Sequence, residues 1–124
     1  MISIILPTYN NDKTIFYSVN SILNQTYKNF ELIIVNDFST DNTKEIIQSF
    51  NDSRIVYLEN DSNFGMTLSI IKGIKNAKGD FIARMDGDDV AVPDRLEKQL
   101  KYLTKNPNID LVGSNIIFFT NNKI

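Results

Sequence analysis

Short apolar runs alternate along the chain with segments in which apolar residues recur every three or four positions. The runs lie at residues 2–6, 31–35, 54–58 and 81–85, and a fifth begins at residues 109–112. Each run is short and nearly continuous in its apolar character, which is typical of strands that are covered on both faces of a sheet. The helical segments lie at residues 12–25, 39 to about 50, 66–77 and 93 to about 104. The pattern therefore predicts that strands and helices alternate.

Local signals mark the starts of two helices. Asn42 and Glu45 have the three-residue spacing of a capping box, which predicts that the second helix begins here. Pro93 suits the first position of the fourth helix, because proline loses no intrahelical hydrogen bond at that position. In the first helix, Ile15 and Val19 mark the apolar face.

Strands separated by helices of about a dozen residues indicate right-handed βαβ units and a parallel sheet. We therefore predict an α/β fold, namely a Rossmann-like, three-layer α/β/α domain with a mainly parallel sheet. The length of 124 residues allows one domain with a real core, which we expect to span residues 1–124. In such sheets, ligands bind at the carboxyl ends of the strands.

Composition excludes several classes of function. The chain has no cysteine, which excludes disulfides and thiolate metal sites and fits a reducing compartment. It has no histidine, so acid–base or metal chemistry must use carboxylates, Tyr, Lys or the backbone. The net charge is −2 and the basic residues are scattered, so no nucleic-acid partner is expected. No segment approaches the roughly 18 apolar residues of a transmembrane helix, and the N-terminus lacks the features of a signal peptide.

Acidic residues cluster after the fourth predicted strand, where Asp86, Asp88 and Asp89 lie within four positions. Two carboxylates a few ångströms apart repel by roughly 4 kcal/mol at an effective dielectric constant of 20 unless a cation lies between them. Oxygen ligands suit Mg²⁺ or Mn²⁺, which one or two carboxylates hold while substrate phosphates complete the shell. The alternative interpretation is a polar turn with a helix-capping carboxylate.

Other cation and phosphate sites fit the sequence less well. A calcium loop of the EF-hand type starting at Asp86 would place Val90 at a ligand position and Ala91 where the loop needs glycine. Residues 7–11 follow the first strand and contain neither the glycine-rich loop of ATP-binding proteins nor the dinucleotide fingerprint. Without a glycine cradle, a bridging metal is the remaining way to bind a diphosphate.

Side chains near two other strand ends suggest contacts to a base. Asp37 accepts hydrogen bonds, so it suits a base with an imide N–H, such as uracil, or the N–H pair of guanine. Its alternative role is to cap the helix that follows. Tyr9 either stacks on the base or ribose or packs against the protein. Lys72, Lys75 and Lys78 are expected to form a solvated helix face.

Several motifs, taken in order, resemble the N-terminal, nucleotide-binding half of family 2 glycosyltransferases with the GT-A fold. The resemblance covers nearly the whole chain. The matching segments are residues 2–10, 21–27, 32–41, 63–65, 83–89, 93–96 and 111–114. The segment A-R-M-D-G-D-D contains the family's D-x-D motif, which would be a weak signal without the others.

The resemblance implies roles for individual residues. Asp37 would face the base, Asp86 would lie toward the ribose and the metal, and Asp88 would bind Mn²⁺ or Mg²⁺ directly. The implied metal ligands are therefore Asp88 and Asp86. The residues implied in nucleotide binding are Pro7, Thr8, Tyr9, Asp37, Asp86 and Gly87.

The family also implies a reaction. Its members transfer a sugar, with inversion, from a nucleotide-diphosphate sugar to a hydroxyl of a sugar or lipid-linked acceptor. A UDP-sugar is the first choice of donor. By analogy the reaction belongs to surface-polysaccharide or glycolipid synthesis. The expected location is cytoplasmic, or the inner face of the membrane for a full-length protein.

The resemblance ends before the acceptor-binding half of such enzymes. That half and the general base are expected beyond Ile124, so no catalytic residue is assigned. The 124-residue chain alone is expected not to transfer sugar at a normal rate. The alternative function is a non-catalytic module that binds nucleotide and metal.

Two positions depart from the family pattern. Phe38 stands where the family usually has glycine, which leaves the conformation of that turn open. Ile71 stands where the family often has Asn, so one polar contact is expected to be lost. An exposed apolar edge is expected at residues 116–119.

Overall fold

A computed structural model describes residues 1–119 and contains eight alternating elements. In chain order they are β1 (Ile2–Thr8), α1 (Ile15–Leu23), β2 (Phe30–Asn36), α2 (Thr43–Gln48), β3 (Ile55–Glu59), α3 (Met66–Asn76), β4 (Phe81–Arg84) and α4 (Arg95–Lys105). The first four predicted strands and all four predicted helices are present. None of the helices within residues 1–119 is long and apolar enough to cross a membrane.

The four strands form one parallel sheet in the order β3–β2–β1–β4. β1 lies between β2 and β4, so that Ile2 pairs with both Phe30 and Phe81. All residues of β1 and β2 are buried, as expected for central strands that are covered on both faces. The carboxyl ends of the strands therefore meet at one edge of the sheet.

Helices cover both faces of the sheet, which confirms the predicted three-layer α/β/α architecture. α1, α2 and α4 pack on one face, where Ile15, Ile47 and Leu96 join the main core. α3 packs on the other face, against Ile5 and Val35.

α3 approaches the sheet closely through two small residues. Ser69 is fully buried, and a Cβ atom added to Gly73 would lie 2.5 Å from Cγ2 of Ile5. A larger residue at position 73 would push the helix away from the close-packed sheet. Because the small residues face the sheet, Leu68 and Ile71 lie on the outer side of α3 and are exposed.

The predicted capping box of Asn42 and Glu45 is wrong. α2 begins at Thr43, and within the described part of the chain the side chain of Asn42 makes no capping hydrogen bond. The carboxylate of Asp41 instead accepts hydrogen bonds from the N–H of Thr43 (3.0 Å) and the N–H of Asp12 (3.1 Å). Burial raises the pKa of Asp41, but its hydrogen bonds outweigh burial and hold the pKa below its usual value. Asp41 is therefore the residue that caps α2. It is held there by a long-range hydrogen bond from Asp12, which belongs to the β1–α1 loop.

The fourth helix begins later than predicted. α4 starts at Arg95, two residues after Pro93, and the buried side chain of Gln25 fixes the turn before it. Nε2 of Gln25 donates to the carbonyl of Val92 (2.7 Å), and its Oε1 accepts from the N–H of Leu96 (3.1 Å). The loop after α1 therefore caps α4, which local sequence signals do not reveal.

The predicted strand at residues 109–112 does not form. Residues 106–119 contain no helix or strand, and β4 remains an edge of the sheet. An apolar run becomes a strand only when a partner of matching register is available, which the pattern alone does not show. Residues 116–119 are exposed, as expected, whereas residues 120–124 lie outside the described part of the chain.

Candidate functional site

A cavity of about 380 Å³ lies at the carboxyl edge of the sheet, bordered by the loops after β1, β2 and β4 and by the start of α3. It brings together all the residues that the resemblance implied in nucleotide and metal binding. These are Pro7, Thr8, Tyr9, Asp37, Asp86, Gly87 and Asp88. Its lining also includes Asn11 and Ser69, to which the sequence assigned no role.

The loop after β1 is held by the loop after β2. Asn10 has a φ of 51°, a left-handed conformation that Asn tolerates better than most residues, and its Oδ1 accepts from the N–H of Thr40 (2.8 Å). The N–H of Asn10 donates to Oγ of Ser39 (3.0 Å). This hydrogen-bonded loop presents Tyr9 at the surface, where the residue is 46% exposed and available to a ligand.

Asp37 lines the cavity but is only 3% exposed. Its Oδ1 accepts hydrogen bonds from Nδ2 of Asn60 (2.7 Å) and the N–H of Phe64 (2.9 Å). Its Oδ2 accepts from the N–H of Gly65 (2.8 Å). Burial raises the pKa of Asp37, but these hydrogen bonds outweigh burial and hold the pKa below its usual value. The carboxylate is therefore ionised at neutral pH, and it anchors the segment before α3 instead of capping α2.

The D-x-D turn around Gly87 is fixed against β1 and α1. The carbonyl of Gly87 accepts from Oγ1 of Thr14 (3.0 Å) and from Oγ of Ser18 (2.9 Å). A Cβ atom added to Gly87 would lie 2.8 Å from Oγ1 of Thr8 and 2.9 Å from Oδ1 of Asn11. Glycine is therefore needed at the middle of the turn, and its close packing fixes the backbone that carries the two flanking carboxylates.

Sequence reasoning missed the two hydroxyls that hold this turn. Thr14 and Ser18 lie four positions apart at the start of α1, and Ser18 is fully buried. A polar residue at a buried helix position needs a hydrogen-bond partner, so the position of Ser18 beside the apolar Val19 was the available signal. Periodicity alone does not identify the loop that Ser18 contacts.

The three acids of the turn have different surroundings. Asp86 is paired with Arg84, whose Nη2 lies 3.0 Å from Oδ1, whereas Asp88 is exposed. The N–H of Asp89 donates to the carbonyl of Asp86 (3.2 Å), as expected for a turn. Burial raises the pKa of Asp89, and the negative charges of Asp88 and Asp86 raise it further. A cation bound beside this turn would relieve that repulsion.

The carboxylates of the turn fit a divalent cation that is shared with a ligand. Within residues 1–119, no three His, Cys, Asp or Glu side chains are gathered as a metal site. The turn therefore offers at most two carboxylates to one cation, and the resemblance implies that these are Asp86 and Asp88. Mg²⁺ is commonly held by one or two carboxylates together with substrate phosphates and water. A metal here would need further oxygen ligands, and a bound diphosphate supplies them.

A larger depression of about 540 Å³ lies between α4 and residues 109–114. Its lining includes Tyr102, Ile109 and Leu111, with Lys98 at its border. None of the strand-end carboxylates reaches it. The smaller cavity is therefore the candidate functional site.

Residues 3–124 match the family model described as Glycosyl transferase family 2. The chain belongs to this family. It is 40% identical over 124 residues to the Escherichia coli UDP-Glc:alpha-D-GlcNAc-diphosphoundecaprenol beta-1,3-glucosyltransferase WfgD, and the match covers 100% of the chain and 49% of WfgD. It is 42% identical over 127 residues to the uncharacterized glycosyltransferase MJ1057 of Methanocaldococcus jannaschii, with 98% of the chain and 43% of the relative covered. The chain thus spans less than half of the length of these relatives.

Solved structures share the fold. The chain resembles residues 1–349 of S. aureus TarS in complex with UDP, with a TM-score of 0.80 and 28% identity, and the match covers 86% of this chain and 32% of that 1–349 chain. The complex of TarS with UDP-GlcNAc gives a TM-score of 0.81 at 28% identity, with the same coverage of each chain. The family and the GT-A fold are thereby confirmed, whereas the roles of individual site residues stay predictions.

Proposed function

We propose that this chain is the nucleotide-sugar-binding half of an inverting glycosyltransferase that uses a UDP-sugar and a divalent cation. One observation carries the proposal: a single cavity contains the ionised acceptor Asp37 and the acidic turn of Asp86 and Asp88. A nucleotide-diphosphate sugar has matching groups, namely a base with N–H donors and a diphosphate that needs a cation.

The hydrogen bonds of Asp37 favour a base that donates a single N–H. A carboxylate offers about four lone-pair positions, and Asn60, Phe64 and Gly65 donate to three of them. One position remains on Oδ2 beside the hydrogen bond from Gly65, and the side chain of Ser69, which also lowers the pKa of Asp37, lies near the same carboxylate. Uracil presents one imide N–H, guanine presents two N–H groups, and cytosine presents none at its pairing nitrogen. The few positions left on the carboxylate therefore favour uracil over guanine, and Tyr9 offers an exposed ring for stacking.

Two similar proteins support the uridine nucleotide. TarS has been crystallised with UDP and with UDP-GlcNAc. The full name of WfgD contains both UDP-Glc and a GlcNAc-diphosphoundecaprenol. We therefore extend the proposal to a sugar or lipid-linked acceptor, and to surface-polysaccharide or glycolipid synthesis at the cytoplasmic face of a membrane.

Asp88 and Asp86 would hold Mn²⁺ or Mg²⁺ at the diphosphate. When bound, such a cation stabilises the negative charge that develops on the departing diphosphate. The chain itself holds the two carboxylates in place, because Thr14 and Ser18 fix the turn between them. Arg84 balances the charge of Asp86 in the absence of ligand.

Transfer to an acceptor hydroxyl requires a general base that takes its proton. We assign no side chain of residues 1–119 to this role. The chain by itself is therefore expected to bind the donor without transferring its sugar at a normal rate.

A thermal-shift screen of UDP-, GDP- and CMP-sugars, each with and without Mn²⁺, tests the proposal. The UDP-sugars with Mn²⁺ are expected to raise the melting temperature most, because a ligand at a hundred times its Kd stabilises the folded state by about 2.7 kcal/mol. Equal shifts with all three nucleotide classes, or a shift that a chelator does not change, would count against the proposal. A transfer assay on the whole protein separates the enzyme from a non-catalytic binding module.

A further inference from the structure

Lys72 differs from the other lysines of its helix region. The sequence predicts that it lies on a solvated face with Lys75 and Lys78, and for Lys72 this is wrong. Its Nζ donates to Oδ1 of Asn60 (2.8 Å) and to the backbone carbonyl of Glu59 (2.7 Å). The ammonium thereby joins α3 to the end of β3, next to the site.

Asn60 connects this ammonium to the carboxylate of Asp37. The residue is 3% exposed, and its Nδ2 donates to Oδ1 of Asp37 (2.7 Å) and to Oγ of Ser69 (3.0 Å). Its own N–H donates to the carbonyl of Asn36 (2.9 Å), which fixes its backbone at the sheet edge. The side-chain amide therefore accepts from Lys72 through its oxygen and donates to Asp37 through its NH₂ group.

The two charged partners leave the amide one orientation. An ammonium only donates hydrogen bonds and a carboxylate only accepts them, so the oxygen of Asn60 must face Lys72 and its NH₂ must face Asp37. Without the ammonium, the buried oxygen of Asn60 loses its donor, and a buried acceptor without a partner is costly. A rotated amide would turn its oxygen toward the carboxylate and remove a hydrogen bond from Oδ1 of Asp37.

We propose that Lys72, acting through Asn60, is a positioning residue that orients the carboxylate of Asp37 for nucleobase binding. The inference rests on the proposed function, because it assigns Asp37 to the base. With Oδ1 held by Asn60 and Phe64 and Oδ2 by Gly65, the carboxylate cannot rotate freely, and it stays oriented for an N–H donor of the base. Lys72 thus contributes to the choice of uracil without touching the nucleotide.

Calorimetry with UDP and with pyrophosphate, both in the presence of Mn²⁺, tests this role. Lys72→Met keeps the length of the side chain and removes the ammonium, and Lys75→Met on the exposed side of α3 is the matched control. We expect Lys72→Met to weaken UDP binding by about tenfold, the effect of one weakened charge-assisted hydrogen bond. Pyrophosphate lacks the base, so its affinity should stay within about twofold of the wild-type value. Lys75→Met should leave both affinities unchanged.

Two results would overturn the positioning role. One is UDP binding by Lys72→Met within about twofold of wild type. The other is an equal loss of UDP and pyrophosphate affinity, which indicates general damage to the site.

A second measurement does not depend on nucleotide binding. NMR titration of the Asp37 carboxyl carbon should give a higher pKa in Lys72→Met than in Lys75→Met, because the former loses the hydrogen bond from Asn60. Equal pKa values would overturn the relay. If the wild-type chain fails to bind UDP, the proposed function is wrong, and this titration still decides whether Lys72 acts on Asp37.

Discussion

Arg84 donates two hydrogen bonds to the carboxylate of Asp86, at 3.0 Å from Oδ1 and 3.2 Å from Oδ2. The side chain of Arg84 is 51% exposed and that of Asp86 is 32% exposed, so water weakens the pair. A metal ion that binds Asp86 therefore competes with the guanidinium group of Arg84 for the same carboxylate.

Replacing Arg84 should strengthen the binding of the free metal. Arg84→Met removes the competing cation, and we expect the affinity for Mn²⁺ without nucleotide to rise up to about fivefold, in line with the modest strength of exposed ion pairs. Calorimetric titration with Mn²⁺ measures this. Lys98→Met is the control, because Lys98 forms an exposed pair with Asp94, outside the cavity lining. Unchanged or weaker metal binding by Arg84→Met would show that the pair does not compete.

Adding one methyl group at Gly87 should damage the D-x-D turn. The new Cβ would lie 2.8 Å from Oγ1 of Thr8, so the turn or β1 must move. We expect Gly87→Ala to destabilise the fold by about 1–3 kcal/mol and to weaken metal-dependent UDP binding at least about tenfold. Denaturant unfolding and calorimetry measure the two effects. Gly113→Ala is the matched control, since a Cβ at Gly113 meets no atom within 4 Å. Equal behaviour of the two variants would contradict the close fit.

The turn after β2 contains a strained residue. Phe38 has a φ of 64°, which resolves the question raised by its departure from the family pattern: the backbone adopts a conformation that favours glycine. Phe38→Gly should stabilise the chain by up to about 1 kcal/mol, because relief of strain exceeds the added flexibility of the unfolded chain. Urea unfolding measures it. Asn10→Gly, at the other non-glycine residue with positive φ among residues 1–119, should give no such gain, because it removes the hydrogen bond to Thr40. A destabilised Phe38→Gly variant would argue that the aromatic ring makes contacts that matter more than backbone strain.

The pair of Asp52 and Arg54 should make stability depend on pH in acid. The side-chain hydrogen bonds of Arg54 lower the pKa of Asp52 from 3.8 to about 2. Because the folded-state pKa is depressed, the stabilisation is present above about pH 3.8 and is lost as the pH falls through about 2. Asp52→Asn should therefore cost about 1–2 kcal/mol near neutral pH.

Urea unfolding of wild type and Asp52→Asn at several pH values tests this dependence. The difference in unfolding free energy should shrink as the pH falls below about 4. Asp61→Asn, at an exposed position, is the control, and its unfolding free energy should equal that of the wild type at each pH. A difference that stays constant down to about pH 2 would assign the loss to something other than ionisation of Asp52.

The fold could be predicted because it depends on repeated, short-range patterns. Apolar runs such as residues 31–35 identify central strands, and the alternation with helices sets their parallel order. The parallel order then places Asp37 and Asp86 at one edge of the sheet. The element ends were less predictable, because Gln25 and Asp12 reach them from distant loops.

The acidic residues of the candidate site could be predicted from the sequence, whereas the residues that hold them in place could not. Acidic residues after strands are visible in the sequence, whereas Lys72 looks like any lysine on a polar helix face. Its contact with Asn60 exists because Gly73 and Ser69 let α3 approach the sheet. That approach depends on three-dimensional packing, which a one-dimensional pattern does not contain.

The central claim is that the cavity binds a uridine diphosphate through a cation held by Asp88 and Asp86. Calorimetry of UDP with the 124-residue chain, in Mn²⁺ and in excess chelator, tests it most directly. We predict UDP binding in Mn²⁺ that is at least about tenfold weaker with chelator and similarly weaker in Asp88→Asn. Equal UDP affinity with and without the metal, or an Asp88→Asn variant that binds like wild type, would contradict the claim.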